Sequence, residues 1–286
     1  MDHWVWDIDP VMLRLGPLQI RYYGLLFALL LLTGFHFFKV VLRRIGYPEN
    51  MLYGYFYWVS ICGILGARIG HCLLYEPSKY LSDPIEILYI WHGGLASHGG
   101  TAGIILGLTL YAYRNRIPWF IVADASAYSA AIAATLVRVG NFLNSEIVGR
   151  PSDLPWAMYF PRSGYPNVPR HPSQIYEALI GASIFGLIYW LDHKFGNRKP
   201  RGILVGTFLV LYFFLRFMVE FVKEYQMLTP EESPLTEGQY YSIPFFIFGC
   251  VMLWHAWKDR GRASGKIPPE SYSPPAQPVR SKTRRK

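Results

Sequence analysis

The sequence predicts an all-α, polytopic integral membrane protein with seven transmembrane helices, its N-terminus outside and its C-terminus in the cytoplasm. Three observations carry that prediction. Of the 286 residues, 52% are apolar and only 16% are charged, against about 25% charged in an ordinary soluble domain. The apolar residues gather in seven nearly uncharged stretches, 22–38, 51–75, 93–113, 117–137, 175–191, 202–222 and 240–257. Each has the roughly 17–25 residues that a helix needs to cross a bilayer core. The basic residues are also unevenly placed. Eighteen fall after the first, third, fifth and seventh stretches and only seven on the opposite side, and cytoplasmic segments carry the excess of Lys and Arg.

Other classes are excluded on the same grounds. The apolar fraction is too high for a disordered chain, and no glycine period marks a collagen. No stretch keeps the two-residue alternation of a membrane strand. The net charge of +9 lies mostly beyond Trp257, where nine basic residues face only Asp259 and Glu270. Residues 1–257 therefore read as one seven-helix transmembrane domain. Residues 258–286, rich in Pro, Ser and basic side chains, read as a disordered cytoplasmic tail that touches anionic headgroups. No nucleic-acid partner is expected, and the lipid bilayer is.

The elements follow in order. Asp2, Asp7 and Asp9 stand where a cleavable signal would be basic, so the first helix is expected to be retained. The second stretch holds Cys62 and Cys72, about 15 Å apart along a helix and too far for a disulfide. It also holds Arg68 after Gly66-Ala67, which either snorkels to a headgroup or joins an internal polar cluster. Next comes Trp91-His92-Gly93-Gly94-Leu95-Ala96-Ser97-His98-Gly99-Gly100. Its glycines permit close approach. His98 reads as a candidate base, and His92 and Trp91 as interfacial. Asp124 begins the fourth helix, where a negative charge suits the helix dipole.

That helix ends in Arg138-Val139-Gly140-Asn141-Phe142-Leu143-Asn144-Ser145-Glu146, followed by Gly149-Arg150. The guanidinium fork suits a phosphate, and Asn141 and Asn144 suit glycerol hydroxyls. Pro169-Arg170-His171-Pro172-Ser173-Gln174 opens the fifth helix, with Gln174 and Glu177 able to line a cavity. In the sixth, Tyr212, Arg216 and Glu220 recur every four residues on one face. Arg216 and Glu220 can pair, as a packing device or as part of a site. Cys250 lies in the seventh stretch. No P-loop, HExxH, GxSxG or CxxC motif is present, and no metal or cofactor is called for. Arginines left in a membrane point to an anionic lipid headgroup as ligand. A lipid-using transferase and a non-catalytic phospholipid transporter or lipid-binding protein both fit.

At these residues the chain resembles the prolipoprotein diacylglyceryl transferase family. The run from Arg138 to Arg150 carries most of the likeness. Gly66-Ala67-Arg68-Ile69-Gly70, His98-Gly99-Gly100, Arg170 to Glu177, and Arg216 with Val219-Glu220-Phe221 support it in the same order. The resemblance implies transfer of a diacylglyceryl group from phosphatidylglycerol to the lipobox cysteine of a preprolipoprotein signal peptide, with glycerol phosphate leaving. It implies a multi-pass protein of the bacterial cytoplasmic membrane, its active site toward the outer leaflet. Arg138 matches the family's phosphatidylglycerol-binding arginine, Arg216 its second essential arginine and His98 its proposed base. Tyr23, Tyr212, Asn141, Glu146, Gly149 and Glu220 match other functional positions, and Arg68 is grouped with the lipid-binding residues. The chain departs from the usual family pattern at Val137, at Ala96-Ser97 and at Val222-Lys223-Glu224, and its loop between the fourth and fifth helices is short.

Overall fold

A computed structural model describes residues 3–90, 93–226 and 231–258. The tail beyond Lys258, Trp91 and His92 lie outside the described residues. The chain is mostly helical: α1 (Tyr22–Arg44), α2 (Glu49–Leu74), the short α3 (Pro77–Ser82), α4 (Ser97–Arg114), α5 (Trp119–Leu143), α6 (Ser173–Phe195), α7 (Ile203–Val219) and α8 (Glu237–Lys258). Seven of these coincide with the seven apolar stretches. Among the described residues, five helical segments are long and apolar enough to cross a membrane: Tyr22–Arg44, Glu49–Leu74, Trp119–Leu143, Ser173–Arg198 and Ile203–Val222. The chain is therefore a polytopic helical membrane protein. The other two helices are diluted by polar or small residues. α4 opens on Ser97-His98-Gly99-Gly100-Thr101, and α8 on Glu237-Gly238-Gln239 with Pro244 one turn later.

α5 is the central helix. In its most apolar window 56% of residues are buried, against 11–28% in the other four candidate spans. It packs between α1 and α6 and also touches α4 and α7. Ala123, Ala127, Ala131 and Ala134 on α5 let its neighbours approach. The core gathers Phe38, Leu42, Leu52, Tyr111, Val122, Tyr128, Ile188 and Leu204. α2 and α4 meet through glycines spaced by four, Gly66 and Gly70 against Gly99 and Gly103. A Cβ at Gly70 would lie 2.7 Å from the Gly99 Cα, and one at Gly99 2.8 Å from the Gly70 Cα. This close approach fixes where α4, and so His98, begins.

Four short strands lie outside the helices. β2 (Val11–Leu15) and β3 (Leu18–Arg21) form an antiparallel hairpin before α1, turning at Gly16-Pro17. β1 (Trp4–Val5) runs parallel to β4 (Met158–Tyr159). The Trp6 indole N–H donates to the Phe142 carbonyl at 2.8 Å, so the N-terminal segment seals the end of α5.

Candidate active site

The ends of α5, α6 and α7 bring five charged side chains together inside the helices. Arg138 and Asn141 are three residues apart on α5 and share a face; the Arg138 Nη1 donates to Asn141 Oδ1 at 3.2 Å. Glu177, one turn into α6, is the hub. Its carboxylate pairs with Arg138, with Arg216 of α7 at 3.6 Å and with Lys223 at 3.2 Å. Glu220, in the 3-10 turn Glu220–Val222 that continues α7, pairs with Lys223 at 2.8 Å and Arg216 at 3.8 Å. It also accepts from the Thr236 hydroxyl at 3.1 Å, and Tyr212 lies one turn before Arg216 on the same face of α7. Three cations thus face two carboxylates. Glu177, Glu220 and Lys223 are buried, whereas the Arg216 side chain remains 21% exposed. An uncompensated buried charge costs several kcal/mol, so the two carboxylates are what allow three cations to stand this close.

A second layer extends toward the loop after α5. The Asn141 amide donates to Glu146 Oε2 and the Asn144 amide to Glu146 Oε1, each at 3.2 Å. The Glu146 carbonyl receives Gln174 Nε2 at 2.7 Å. Ser145 and Ile147 on either side of Glu146 both have φ of +56°. For a β-branched residue this is a true outlier, costing about 1–3 kcal/mol, and such strain collects at functional sites. It turns the Glu146 side chain back toward α5. Gly149 has a steric role: a Cβ there would lie 2.5 Å from the His171 Cβ and 2.7 Å from the Val222 carbonyl oxygen. Its N–H donates to the His171 carbonyl at 2.9 Å, and it bridges to Lys223. Gly149 therefore lets the segment carrying Lys223 lie against the loop. Burial lowers the pKa of His171 and keeps its ring neutral. Its Nδ1 shares a hydrogen bond with the Tyr176 hydroxyl at 3.1 Å, which also receives Trp156 Nε1 at 2.7 Å.

The structure brings Arg138, Asn141, Glu146, Tyr212, Arg216 and Glu220 to one place, and Tyr23 beside them. The Tyr23 ring covers Gly140, and its hydroxyl feels the charges of Glu146 and Arg138. Two other residues singled out in the sequence sit apart. His98 lies in the exposed first turn of α4, its ring tilted 49° against that of Tyr241 of α8 with ring centroids 4.4 Å apart. Arg68 is buried, and its guanidinium donates to the carbonyls of Glu86, Ile87, Tyr89, Gly93 and Gly94 at 2.5–3.3 Å. Those donors are spent on the connection leading to α4, so Arg68 shapes the backbone that ends at His98. Asp124 also departs from expectation. Rather than sitting in its own helix dipole, it accepts the N–H groups of Gly202, Leu204 and Val205 at 2.8–3.0 Å and caps α7.

Lys223 entered the sequence reading as part of the departure at Val222-Lys223-Glu224, not as a candidate site residue. The signal was available: positions 216, 220 and 223 follow a helical repeat, which puts Lys223 on the face of Arg216 and Glu220. The cysteines Cys62, Cys72 and Cys250 are free.

The family model described as prolipoprotein diacylglyceryl transferase matches residues 10–255. A phosphatidylglycerol–prolipoprotein diacylglyceryl transferase of Chloroherpeton thalassium is 42% identical over 88% of this chain and 94% of its own length. The protein of the same name from Tolumonas auensis is 38% identical over 90% of this chain and 99% of its own. That from Nitrosomonas europaea is 37% identical over 92% and 96%. With a helical membrane fold, a family model matched over residues 10–255 and relatives 37–42% identical over most of the chain, the chain belongs to the prolipoprotein diacylglyceryl transferase family.

Proposed function

We propose that this chain transfers the diacylglyceryl group of phosphatidylglycerol to the thiol of a lipobox cysteine in a preprolipoprotein signal peptide, forming a thioether and releasing glycerol phosphate. The observation that carries this reading is Glu177, which holds Arg138, Arg216 and Lys223 together inside the helices. The phosphodiester brings one negative charge. When the thiolate sulfur bonds the diacylglyceryl carbon, that carbon's bond to the phosphate oxygen breaks, and the departing monoester carries about −1.5 to −2. Donors already aimed at growing charge in a site closed to water are the largest source of rate in such steps.

Arg138 and Arg216 are assigned to the phosphate. The long Arg216 pairs, 3.6 and 3.8 Å, are electrostatic rather than hydrogen-bonded, so its fork keeps donors for a ligand. Asn141 and Glu146 are assigned to the head glycerol hydroxyls. Tyr23 closes the site over Gly140, Tyr212 orients Arg216, Glu220 holds Lys223 and Arg216, and Gly149 keeps the loop closed. The thiol must lose its proton to attack. His98 is assigned that proton, which requires the peptide to bring its cysteine between α4 and the arginine cluster. All seven long helices are assigned as spans, with the N-terminus outside and the site toward the outer leaflet of a bacterial cytoplasmic membrane. The excess of basic residues on the opposite side supports that orientation.

The test is to incubate the purified protein with phosphatidylglycerol vesicles and a lipobox peptide and to weigh the peptide by mass spectrometry. A gain of one diacylglyceryl unit on the cysteine is expected. Binding or movement of lipid with the peptide unmodified would overturn the reading.

A further inference from the structure

Where α5 ends, a polar cavity of about 580 Å³ opens between three segments, 144–148, 162–165 and 224–226. Asn144, Ser145, Glu146, Tyr165, Glu224 and Tyr225 line it. Its floor is built from backbone: Glu224 N–H reaches the Val148 carbonyl, and Gly149 bridges to Lys223. The cavity shares Glu146 with the arginine cluster, to which it is joined through Asn141 and Arg138.

The charged groups around the cavity are already committed. Arg162 donates to Asp7 at 2.7 Å, Glu224 is paired with Arg170, and Glu146 receives Asn141 and Asn144. The faces of Tyr165 and Tyr225 lie against Arg170 and Arg150. Among the described residues of the wall, the two carboxylates Glu146 and Glu224 face the single guanidinium of Arg162, itself paired with Asp7, so a departing dianionic glycerol phosphate is disfavoured here. What remains is neutral: Asn144 Oδ1 and Ser145 Oγ are buried in this wall and have no hydrogen-bond partner. Buried polar atoms of this kind are ordinarily satisfied. Backbone N–H groups of an uncharged, extended chain suit them.

Distance says which chain. From Arg138 to Asn144 is six residues of helix, about 9 Å along the axis. An extended peptide covers that in about three residues. A cysteine whose thiol reaches the lipid held at Arg138 would deliver its third and following residues into this cavity, while the apolar signal sequence stays among the helices. We propose that the cavity beyond α5 binds the polar segment starting about three residues after the acceptor cysteine. This assignment rests on the transferase reading.

Gly164 in the cavity wall permits a clean test. A Cβ built on it meets no atom within 4 Å, and its φ is not positive, so Gly164→Trp can fill the space without moving the backbone. Two lipobox peptides would be compared, one ending two residues after the cysteine and one continuing for four more polar residues. With the unaltered protein the longer peptide should have the lower KM, by about tenfold. Gly164→Trp should remove that advantage, leave the short peptide and the KM for phosphatidylglycerol unchanged, and be matched by a normal Gly164→Ala. Equal KM values for both peptides with the unaltered protein would overturn the proposal. So would a Gly164→Trp effect that falls equally on both peptides or on phosphatidylglycerol, or no effect at all. Transfer to neither peptide by the unaltered protein would overturn the transferase reading itself, and this assignment with it.

Discussion

Two clusters of buried charge stand at opposite ends of α5–α7, and they are built differently. At the end where α6 stops and α7 starts, Asp192 receives Arg44 and Lys199 at 2.5 Å each and the Tyr128 hydroxyl at 2.9 Å. Nearby, Asp124 receives three backbone N–H groups. Every one of these contacts is a hydrogen bond of 2.5–3.0 Å, and each carboxylate accepts three. At the other end Arg216 has ion pairs at 3.6 and 3.8 Å, too long for hydrogen bonds. The first arrangement ties α1, α5, α6 and α7 together. The second keeps charge in the membrane with donors still to give. The two ends differ in hydrogen-bonding capacity, spent on Asp192 and Asp124 at one and left open on Arg216 at the other.

Breaking one end at a time tests this contrast. The largest effect is expected from Arg138→Ala, which removes a preorganised donor from the leaving phosphate. Transfer should fall by at least about 10²–10³-fold, with thermal unfolding little changed because the Asp192 cluster is intact. Unaltered turnover would show that the arginine cluster is structural after all. Asp192→Asn should do the reverse. Removing one partner of a buried pair costs about 3–5 kcal/mol, read as a lower Tm in detergent, while turnover per folded molecule persists. Loss of activity at full stability would dissolve the comparison. Arg216→Lys keeps the charge but not the fork, and should reduce transfer by about tenfold to a hundredfold without a matching fall in Tm.

The smallest effect concerns the loop that holds Gly149. Its neighbour His171 has a pKa lowered by burial, so below the usual histidine pKa the unfolded chain binds a proton that the folded chain refuses. That contribution is fully present above about pH 6.5 and is lost as the pH falls toward the depressed folded value. Thermal unfolding should therefore fall slightly from pH 7 to pH 5, and less so in His171→Gln. An identical pH dependence in the two proteins would show that His171 does not supply it.

Much of the fold was legible because membrane helices announce themselves by length and composition. The seven apolar stretches each became a helix, with α1 running on to Arg44 and α5 to Leu143. Most of the cluster was legible for a related reason: a membrane span tolerates few charges, so Arg138, Arg216 and Glu220 stand out against apolar neighbours. Lys223 did not stand out, because it lies past the apolar stretch, where a lysine is ordinary. Asp192 and Lys199 were hidden in the same way, at the end of α6. Arg68 stood out in the same way as Arg138 and Arg216. Its intramembrane position suggested an anionic ligand, but five carbonyls of an irregular connection use its donors instead, and the sequence does not say where those carbonyls will point.

By itself, then, the sequence determined the class of protein, the number of long helices, and the residues that carry charge into apolar surroundings. All three follow from the cost of placing polar groups in hydrocarbon, which acts on each stretch locally. Only the tertiary structure decided which charges meet. It set Glu177 among three cations, turned Asp124 onto the start of a different helix, and used Gly149 to draw Lys223 inward. Those outcomes depend on which helices and loops approach one another, and the residues that meet lie far apart along the chain.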